Sequence, residues 1–138
     1  MEPDVAGTDD SERRRIRVIR SDQLRSPPEA QTAGMTRHVA VSTDEALVGL
    51  VRTAPDMVSG WHHHGEYETY AYVVSGSGAF EFGPAGAETI DAGPGDFIYI
   101  PARLVHRESN RGGEESLMVL FRMGHGGPLF NVEGPEGE

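Results

Sequence analysis

GDFIYIPARLVHRESN, residues 95–110, is the stretch that decides the fold. It begins on a glycine turn, continues as a short apolar strand from Phe97 to Ile100, and meets a proline where that strand ends. It then resumes as a second strand that carries His106. A single histidine on a strand is more often a structural residue than a ligand. The meaning of His106 therefore depends on what the rest of the chain places beside it.

A run of three histidines lies upstream, in WHHHG at residues 61–65. Side chains alternate between the two faces of a strand, so His62 and His64 share one face and His63 takes the other. Two imidazoles on one face can bind one metal ion, and His106 would be a third ligand. The alternative is a polar strand end with solvated histidines. Three imidazoles, or two with a carboxylate, suit one divalent ion of iron, manganese, nickel, copper or zinc.

Short apolar runs separated by turn residues continue through most of the chain, and no segment shows a sustained helical period. Many short strands at close, even spacing predict an all-β sandwich or barrel. The predicted strands are 37–42, 46–54, 58–64, 68–75, 78–83, 86–91, 96–100, 104–110 and 115–123. A further strand is predicted over 13–20, where apolar residues alternate with arginines that would face water, and the alternative is a basic arm that binds anions.

The sequence resembles the cupin superfamily, most closely in its second motif. Gly95, Pro101, His106 and Asn110 stand at that motif's spacings, and Arg103 replaces its middle glycine, a turn position. The resemblance implies an all-β, double-stranded β-helix (jelly-roll) barrel over residues 13–123 with one bound divalent metal. Residues 1–12 are then a disordered N-terminal segment, and 124–138 a loose C-terminal tail.

The first cupin motif matches less completely, because its carboxylate is displaced. His62, His64 and the closing Gly76 are in place, whereas the glutamate position falls on Thr69. Glu68 lies one residue too early, and strand parity would turn it outward unless a bulge rotated it back. The metal set is therefore His62, His64, His106 and Glu68, or the three histidines with water. A register shifted onto His63 is a third, less favoured reading.

Strand parity also sorts the residues around the site. If Thr69 faces inward, so do the small side chains that follow it at every second position, and Tyr70 and Tyr72 face outward, where a dimer contact could use them. Each arginine in a predicted strand is expected at the surface; these are Arg37, Arg52 and Arg122. One that pointed into the barrel would clamp a substrate carboxylate.

Composition narrows the function. The chain of 138 residues has a formal net charge of -10, which argues against a nucleic-acid partner. It contains neither cysteine nor lysine, so thiolate sites, disulfides and Schiff-base chemistry are excluded. No apolar run is long enough to span a membrane, and the N-terminus lacks the order of a secretory signal. A soluble, cytoplasmic protein is expected.

These observations predict a metal-dependent enzyme acting on a small organic molecule, with dioxygenase the leading reaction and isomerase or lyase chemistry also open. The alternative is a non-catalytic module that binds a small molecule or a metal. The resemblance implies a homodimer formed through the N-terminal strand.

Overall fold

The computed structural model describes residues 14–27 and 33–135, and in them the regular secondary structure is almost entirely β-strand. The predicted all-β class is confirmed, and most strand bounds agree within two residues. Two short 3-10 helices, Ser21–Gln23 and Pro84–Gly86, interrupt the strands. The strands are β1 (Met35–Ser42), β2 (Ala46–Thr53), β3 (Met57–Val58), β4 (His62–His63), β5 (Glu68–Ser75), β6 (Gly78–Phe82), β7 (Glu88–Ala92), β8 (Phe97–Ile100), β9 (Arg107–Asn110), β10 (Ser116–Met123) and β11 (Phe130–Asn131).

Two antiparallel sheets face each other as a double-stranded β-helix. One sheet has the strand order β1-β2-β10-β5-β8, and the other has the order β3-β9-β6-β7. A small pair, β11-β4, crosses one end, and a bridge between His62 and His106 links β4 to the residue before β9. None of the described residues belongs to a helix long and apolar enough to cross a membrane.

Alternation along β5 shows how the sequence builds the interior. Thr69, Ala71 and Val73 are buried, while Tyr70 and Tyr72 lie on the outer face, as strand parity predicts. The inner face packs into one apolar core, and each fully buried aliphatic side chain contributes roughly 1.5–3 kcal/mol to it. That core consists of Met35, Val51, Met57, Ala71, Val73, Phe80, Ile100, Met118 and Leu120.

Two motif positions take the left-handed backbone conformation that glycine favours. Gly76 closes the first motif with φ of 77°, and a Cβ there would lie 2.6 Å from the Cα of Ser116. Arg103 stands at the turn glycine of the second motif with φ of 61°. Its amide donates to the carbonyl of Gly65, which ties this turn to the loop after the histidine run.

The N-terminal strand predicted over 13–20 is wrong for the residues that the structure describes. Residues 14–20 are irregular, and Ile16 is 97 % exposed. An alternating pattern forms a strand only where a neighbouring strand accepts its backbone hydrogen bonds, and the first such contact is the bridge between Arg25 and Val39. Arg13 and the predicted disordered segment 1–12 lie outside the described residues.

Within the described part of the C-terminal tail, residues 124–135, a segment pairs with the barrel where a loose extension was expected. Phe130 pairs with His63 and Asn131 with His62 in the β11-β4 ladder. The Phe130 ring stacks on the His63 ring at 5.0 Å between centroids. The predicted strand 58–64 is correspondingly divided: β3 pairs with β9, and β4 turns away to pair with the tail.

Candidate metal centre

Two chain segments bring the candidate ligands together. His62 lies on β4, His64 follows that strand, His106 precedes β9, and Glu108 lies on β9. The amides of His62 and His106 each donate to the carbonyl of the other at 2.9 Å. This reciprocal bridge fixes the two histidine segments side by side.

The four side chains converge on one point inside the barrel. The exposed fraction is 0 % for His62 and 2 % for both His64 and His106. One ligand atom from each of the three histidines and from Glu108 lies within 4.8 Å of the others. The structure therefore brings together the three histidines that the sequence selects and adds a carboxylate.

Backbone carbonyls orient all three imidazoles in the same way. The Nδ1 atoms of His62, His64 and His106 lie 2.9, 2.8 and 2.9 Å from the carbonyl oxygens of Gly60, Pro128 and Leu104. A carbonyl only accepts, so Nδ1 must carry the proton and donate. In a neutral imidazole, Nε2 is then an unprotonated acceptor, and all three Nε2 atoms turn toward the centre.

Glu108 faces these acceptors with another acceptor. Its Oε2 atom lies 3.1 Å from Nε2 of His62 and 3.3 Å from Nε2 of His106. The buried Nε2 of His64 has no hydrogen-bond partner among the described residues. Lone pairs facing one another at these distances require a cation between them, either a proton or a metal ion.

The donor set fits a divalent metal. Two atoms that bind one ion at about 2.1 Å lie roughly 3.0–3.4 Å apart in octahedral or tetrahedral coordination. The two contacts of Glu108, at 3.1 and 3.3 Å, fall in that range. Imidazole nitrogen and carboxylate oxygen together suit the transition metals and zinc.

The protonation states favour cation binding near neutral pH. Burial, followed by the positive charge of Arg122, holds the pKa of His64 well below its ordinary value. Burial works against ionisation of Glu108, but when a proton lies between the carboxylate and the imidazoles, hydrogen bonds from His106 and His62 hold its pKa well below the ordinary value, and a metal ion in the place of that proton would act in the same sense. His64 is therefore neutral and Glu108 ionised when a metal ion arrives.

The family model named Cupin domain matches residues 49–122, which include every one of these ligands and more than half of the chain. The chain belongs to the cupin family. No curated protein sequence matches it.

The structural neighbours share the fold of this cupin at low sequence identity. A conserved double-stranded β-helix protein from Klebsiella pneumoniae is 19% identical, with a TM-score of 0.66, and the match covers 86% of this chain and 99% of that one. The polyketide cyclase RemF from Streptomyces resistomycificus is 20% identical, with a TM-score of 0.69 and 86% of each chain covered. Oxalate decarboxylase from Bacillus subtilis is 20% identical, with a TM-score of 0.63 over 74% of this chain and 28% of its own.

Glu68, the carboxylate expected in the metal set, lies outside the cluster of this cupin. Its two carboxylate oxygens accept hydrogen bonds from the hydroxyls of Tyr70 at 3.1 Å and Tyr99 at 3.0 Å. The register of β5 is regular around Glu68, and Thr69 remains buried, where it accepts a hydrogen bond from Nε of Arg122 at 3.3 Å. His63, the ligand in the third alternative, lies outside the cluster, and its ring stacks on that of Phe130.

Glu108 supplies the carboxylate that the sequence reasoning assigned elsewhere. It stands two residues after His106, which is the same spacing that separates His62 from His64. Residues two apart on a strand share a face. Strand parity in the second motif therefore places Glu108 on the same face as His106.

Open space borders the cluster on two sides. A cleft of about 470 Å³ reaches His106 between apolar side chains such as Phe82, Ile90 and Leu104. Inside the barrel, a cavity of about 20 Å³, which is room for about one water molecule, touches His64 and Glu108. The cluster is accessible to a small ligand and shielded from bulk water.

Two of the arginines expected at the surface are inside the barrel. Arg37 is 7 % exposed and Arg122 is 5 % exposed, and both line the cavity beside His64. Their positions on β1 and β10 follow the inward parity of those strands. Arg52 is half-buried at the surface, 3.7 Å from Glu115, as expected.

Proposed function

We propose that this cupin holds one divalent metal ion through His62, His64, His106 and Glu108 and acts as a metal-dependent enzyme on a small organic molecule. The observation that supports metal binding is that the unprotonated Nε2 atoms face the Glu108 carboxylate at the centre of the barrel. Dioxygenase-like chemistry is the leading reaction, and isomerase or lyase chemistry is the next class to test.

The metal, when bound, would supply either electron transfer to dioxygen or Lewis acidity, according to its identity among iron, manganese, nickel, copper and zinc. The protein supplies the rest. Backbone carbonyls hold the imidazoles in one orientation, the apolar cleft beside His106 admits the substrate, and burial excludes water. One of the oxalate decarboxylase structures was used to study Mn(II) centres of that enzyme, which makes manganese a first metal to test here.

A non-catalytic binding module is the second candidate. The 470 Å³ cleft is lined mostly by apolar side chains, which suits capture of a ligand without turnover. The polar groups beside the metal cluster favour the enzyme. Turnover of any substrate by metal-loaded protein would decide between the two.

Metal content is the decisive first measurement. Elemental mass spectrometry on protein purified without a histidine tag should find about one divalent ion per chain, and His106→Ala should lose it. His125→Ala is the matched control, since His125 is an exposed histidine outside the cluster. Absence of metal in the wild type, even after reconstitution, would refute the metal proposal.

The metal found directs the activity screen. A redox-active ion calls for oxygen-uptake assays with enediols and β-diketones, and zinc calls for isomerase and lyase substrates. Oxalate joins either screen because a structural neighbour is an oxalate decarboxylase. A metal-loaded protein that binds these compounds and turns over none would favour the binding module.

A homodimer is also proposed, formed through the outer face of the larger sheet and not through an N-terminal strand. The outer face of the larger sheet exposes large apolar side chains on neighbouring strands, which is uncommon on a monomer. They include Tyr70, Tyr72, Phe97, Tyr99 and Phe121. Light scattering at micromolar concentration should give twice the chain mass, and Phe97→Arg should halve it. A monomeric wild type would refute the dimer, and the cytoplasmic location stays a prediction.

A further inference from the structure

We infer that Arg37 and Arg122 form an anion subsite inside the barrel that takes the carboxylate group of a small organic acid beside the metal cluster. This inference rests on the proposed metal site and narrows its substrate class. It begins from where the two side chains lie. Arg37 pairs with Val51 across β1 and β2, and Arg122 pairs with Thr69 across β10 and β5, so both side chains enter the interior.

Buried arginines are costly. Moving a guanidinium out of water costs several kcal/mol unless charge and hydrogen bonds compensate it. Nε of Arg122 donates to the hydroxyl of Thr69, and both arginines make further contacts in the protein. A guanidinium has five N–H donors in a planar fork, so it can hold a protein contact and a carboxylate together.

Open space meets both guanidinium-bearing side chains. Two cavities of about 20 Å³ each are lined in part by Arg37 and Arg122, and one of them is also lined by His64 and Glu108. Each has room for about one water molecule, which is the space that one carboxylate oxygen would take beside the guanidinium groups. The arginines therefore border the same space as the metal ligands.

The rest of an acid has a place to go. Phe80, Ile98 and Ile100 line both the cavity that touches the metal ligands and the 470 Å³ cleft beside His106. These side chains stand between a polar, cationic interior and an apolar cleft, so the two spaces adjoin each other. A molecule with a carboxylate at one end and an apolar body at the other matches both environments.

Charge balance gives an independent reason. The proposed ligands contribute one negative charge, from Glu108, so a divalent ion leaves excess positive charge in the barrel. Arg37 and Arg122 line the same small cavity as His64 and Glu108, so their positive charges lie beside that of the ion. An anionic ligand would offset the positive charge of metal and arginines together, whereas a neutral ligand would not.

Calorimetric titration of manganese-loaded protein with acetate and benzoate, against the neutral acetamide and benzamide, tests the subsite. We expect each acid to bind at least about tenfold more tightly than its amide, since a buried bidentate arginine contact is charge-assisted. Arg37→Gln and Arg122→Gln should each weaken acid binding about 10- to 100-fold and leave amide binding unchanged. Arg52→Gln, at a surface arginine of β2, is the matched control and should bind acids like the wild type.

The variants separate the arginines from the metal, which can itself bind a carboxylate. An acid preference that persists at full strength in both glutamine variants would overturn the subsite. If Arg122→Gln fails to fold, Arg37→Gln alone decides in the same way. Equal binding of acids and amides to the wild type would overturn it outright.

Failure of the subsite can be distinguished from failure of the proposed function. Elemental analysis is made on every variant, and the titrations are repeated on metal-free protein. Arginine-dependent acid binding in a protein that takes up no metal would refute the metal site and keep the subsite. Full metal content without arginine-dependent acid binding would refute the subsite and keep the metal site.

Discussion

Glu108→Gln separates a metal centre from a buried ion pair, because the two arrangements predict opposite effects on the metal-free protein. The substitution keeps the shape of the side chain and replaces one carboxylate oxygen with an amide nitrogen that donates. In the wild type, Oε2 of Glu108 lies 3.1 and 3.3 Å from Nε2 of His62 and His106. If both imidazoles are neutral, a glutamine amide can donate to them where the carboxylate could not.

The expected change in the free energy of unfolding of the metal-free protein follows from these two contacts. Two new neutral hydrogen bonds contribute up to about 1 kcal/mol each, so the variant should be as stable as the wild type or up to ~2 kcal/mol more stable. If the imidazoles were instead protonated partners of Glu108, the loss of a buried ion pair would cost about 3–5 kcal/mol.

Melting temperatures make the difference measurable. For a chain of 138 residues, an unfolding entropy of about 2.1 cal/mol/K per residue converts 1 kcal/mol into a shift of about 3.5 °C. The neutral arrangement therefore predicts a melting temperature between unchanged and ~7 °C higher for metal-free Glu108→Gln. The ion-pair arrangement predicts a fall of more than ~10 °C.

Added metal should stabilise the wild type much more than Glu108→Gln. At a metal concentration of about 100 times Kd, binding stabilises the wild type by ~2.7 kcal/mol, which is about 9 °C. A 100-fold loss of affinity in Glu108→Gln leaves ~0.4 kcal/mol, about 1.5 °C, at the same concentration.

Differential scanning fluorimetry of chelator-treated protein at pH 8, with and without added manganese or zinc, measures both effects. The control is Glu68→Gln, whose carboxylate lies outside the cluster and should leave the metal-induced shift intact. A metal-free Glu108→Gln that melts more than ~10 °C below the wild type, together with a full metal-induced shift, would refute the reasoning.

Two further predictions concern the surroundings of the cluster. Hydrogen bonds to Glu68 raise the pKa of Tyr70 and of Tyr99, so tyrosine absorbance in Glu68→Ala should titrate at lower pH than in the wild type. The stabilisation that this contact gives is present below the ordinary tyrosine pKa and is lost as the pH rises through the folded-state value. Gly65→Ala would place a Cβ 2.7 Å from Cε2 of Phe130, at a backbone φ of 60°. Displacement of the tail should weaken metal affinity about 10- to 100-fold in a calorimetric titration, as for other groups that orient metal ligands.

Each of these has a matched control. Asp91→Ala removes a carboxylate from β7 instead of β5, and it should leave the tyrosine titration unchanged. Gly113→Ala adds a methyl group where nothing lies within 4 Å, and it should leave metal affinity unchanged. A tyrosine curve that does not move in Glu68→Ala, or full metal affinity in Gly65→Ala, would contradict the respective contact.

The three histidines could be read from the sequence because their arrangement depends on local rules. Strand alternation places His62 and His64 on one face, and motif spacing brings His106 to them. Alternation likewise placed Thr69, Ala71 and Val73 in the interior. These features need only the period of a strand and the identity of its buried face.

The missed features depend on contacts between distant residues. The carbonyl of Pro128 orients His64 across 64 residues of sequence, and glycine-rich composition there suggested only a loose end. Arg37 and Arg122 were assigned to the surface because a charged residue usually lies there, although each falls on the inward phase of its strand. Glu108 could have been found by the same parity that paired His62 with His64.

Residues 128–132 dock against β4 and also orient His64, so bound metal should stabilise the docking of this surface segment. If docking of the segment raises metal affinity by a certain factor, bound metal raises the equilibrium constant for docking by the same factor, because the coupling between two equilibria is reciprocal. The amide of Val132, which donates to the carbonyl of Trp61 at 2.9 Å, should then exchange its hydrogen about 10- to 100-fold more slowly in the loaded protein. When metal is scarce, this segment would undock and become open to cleavage by proteases. The lifetime of the protein would therefore depend on the supply of its metal ion.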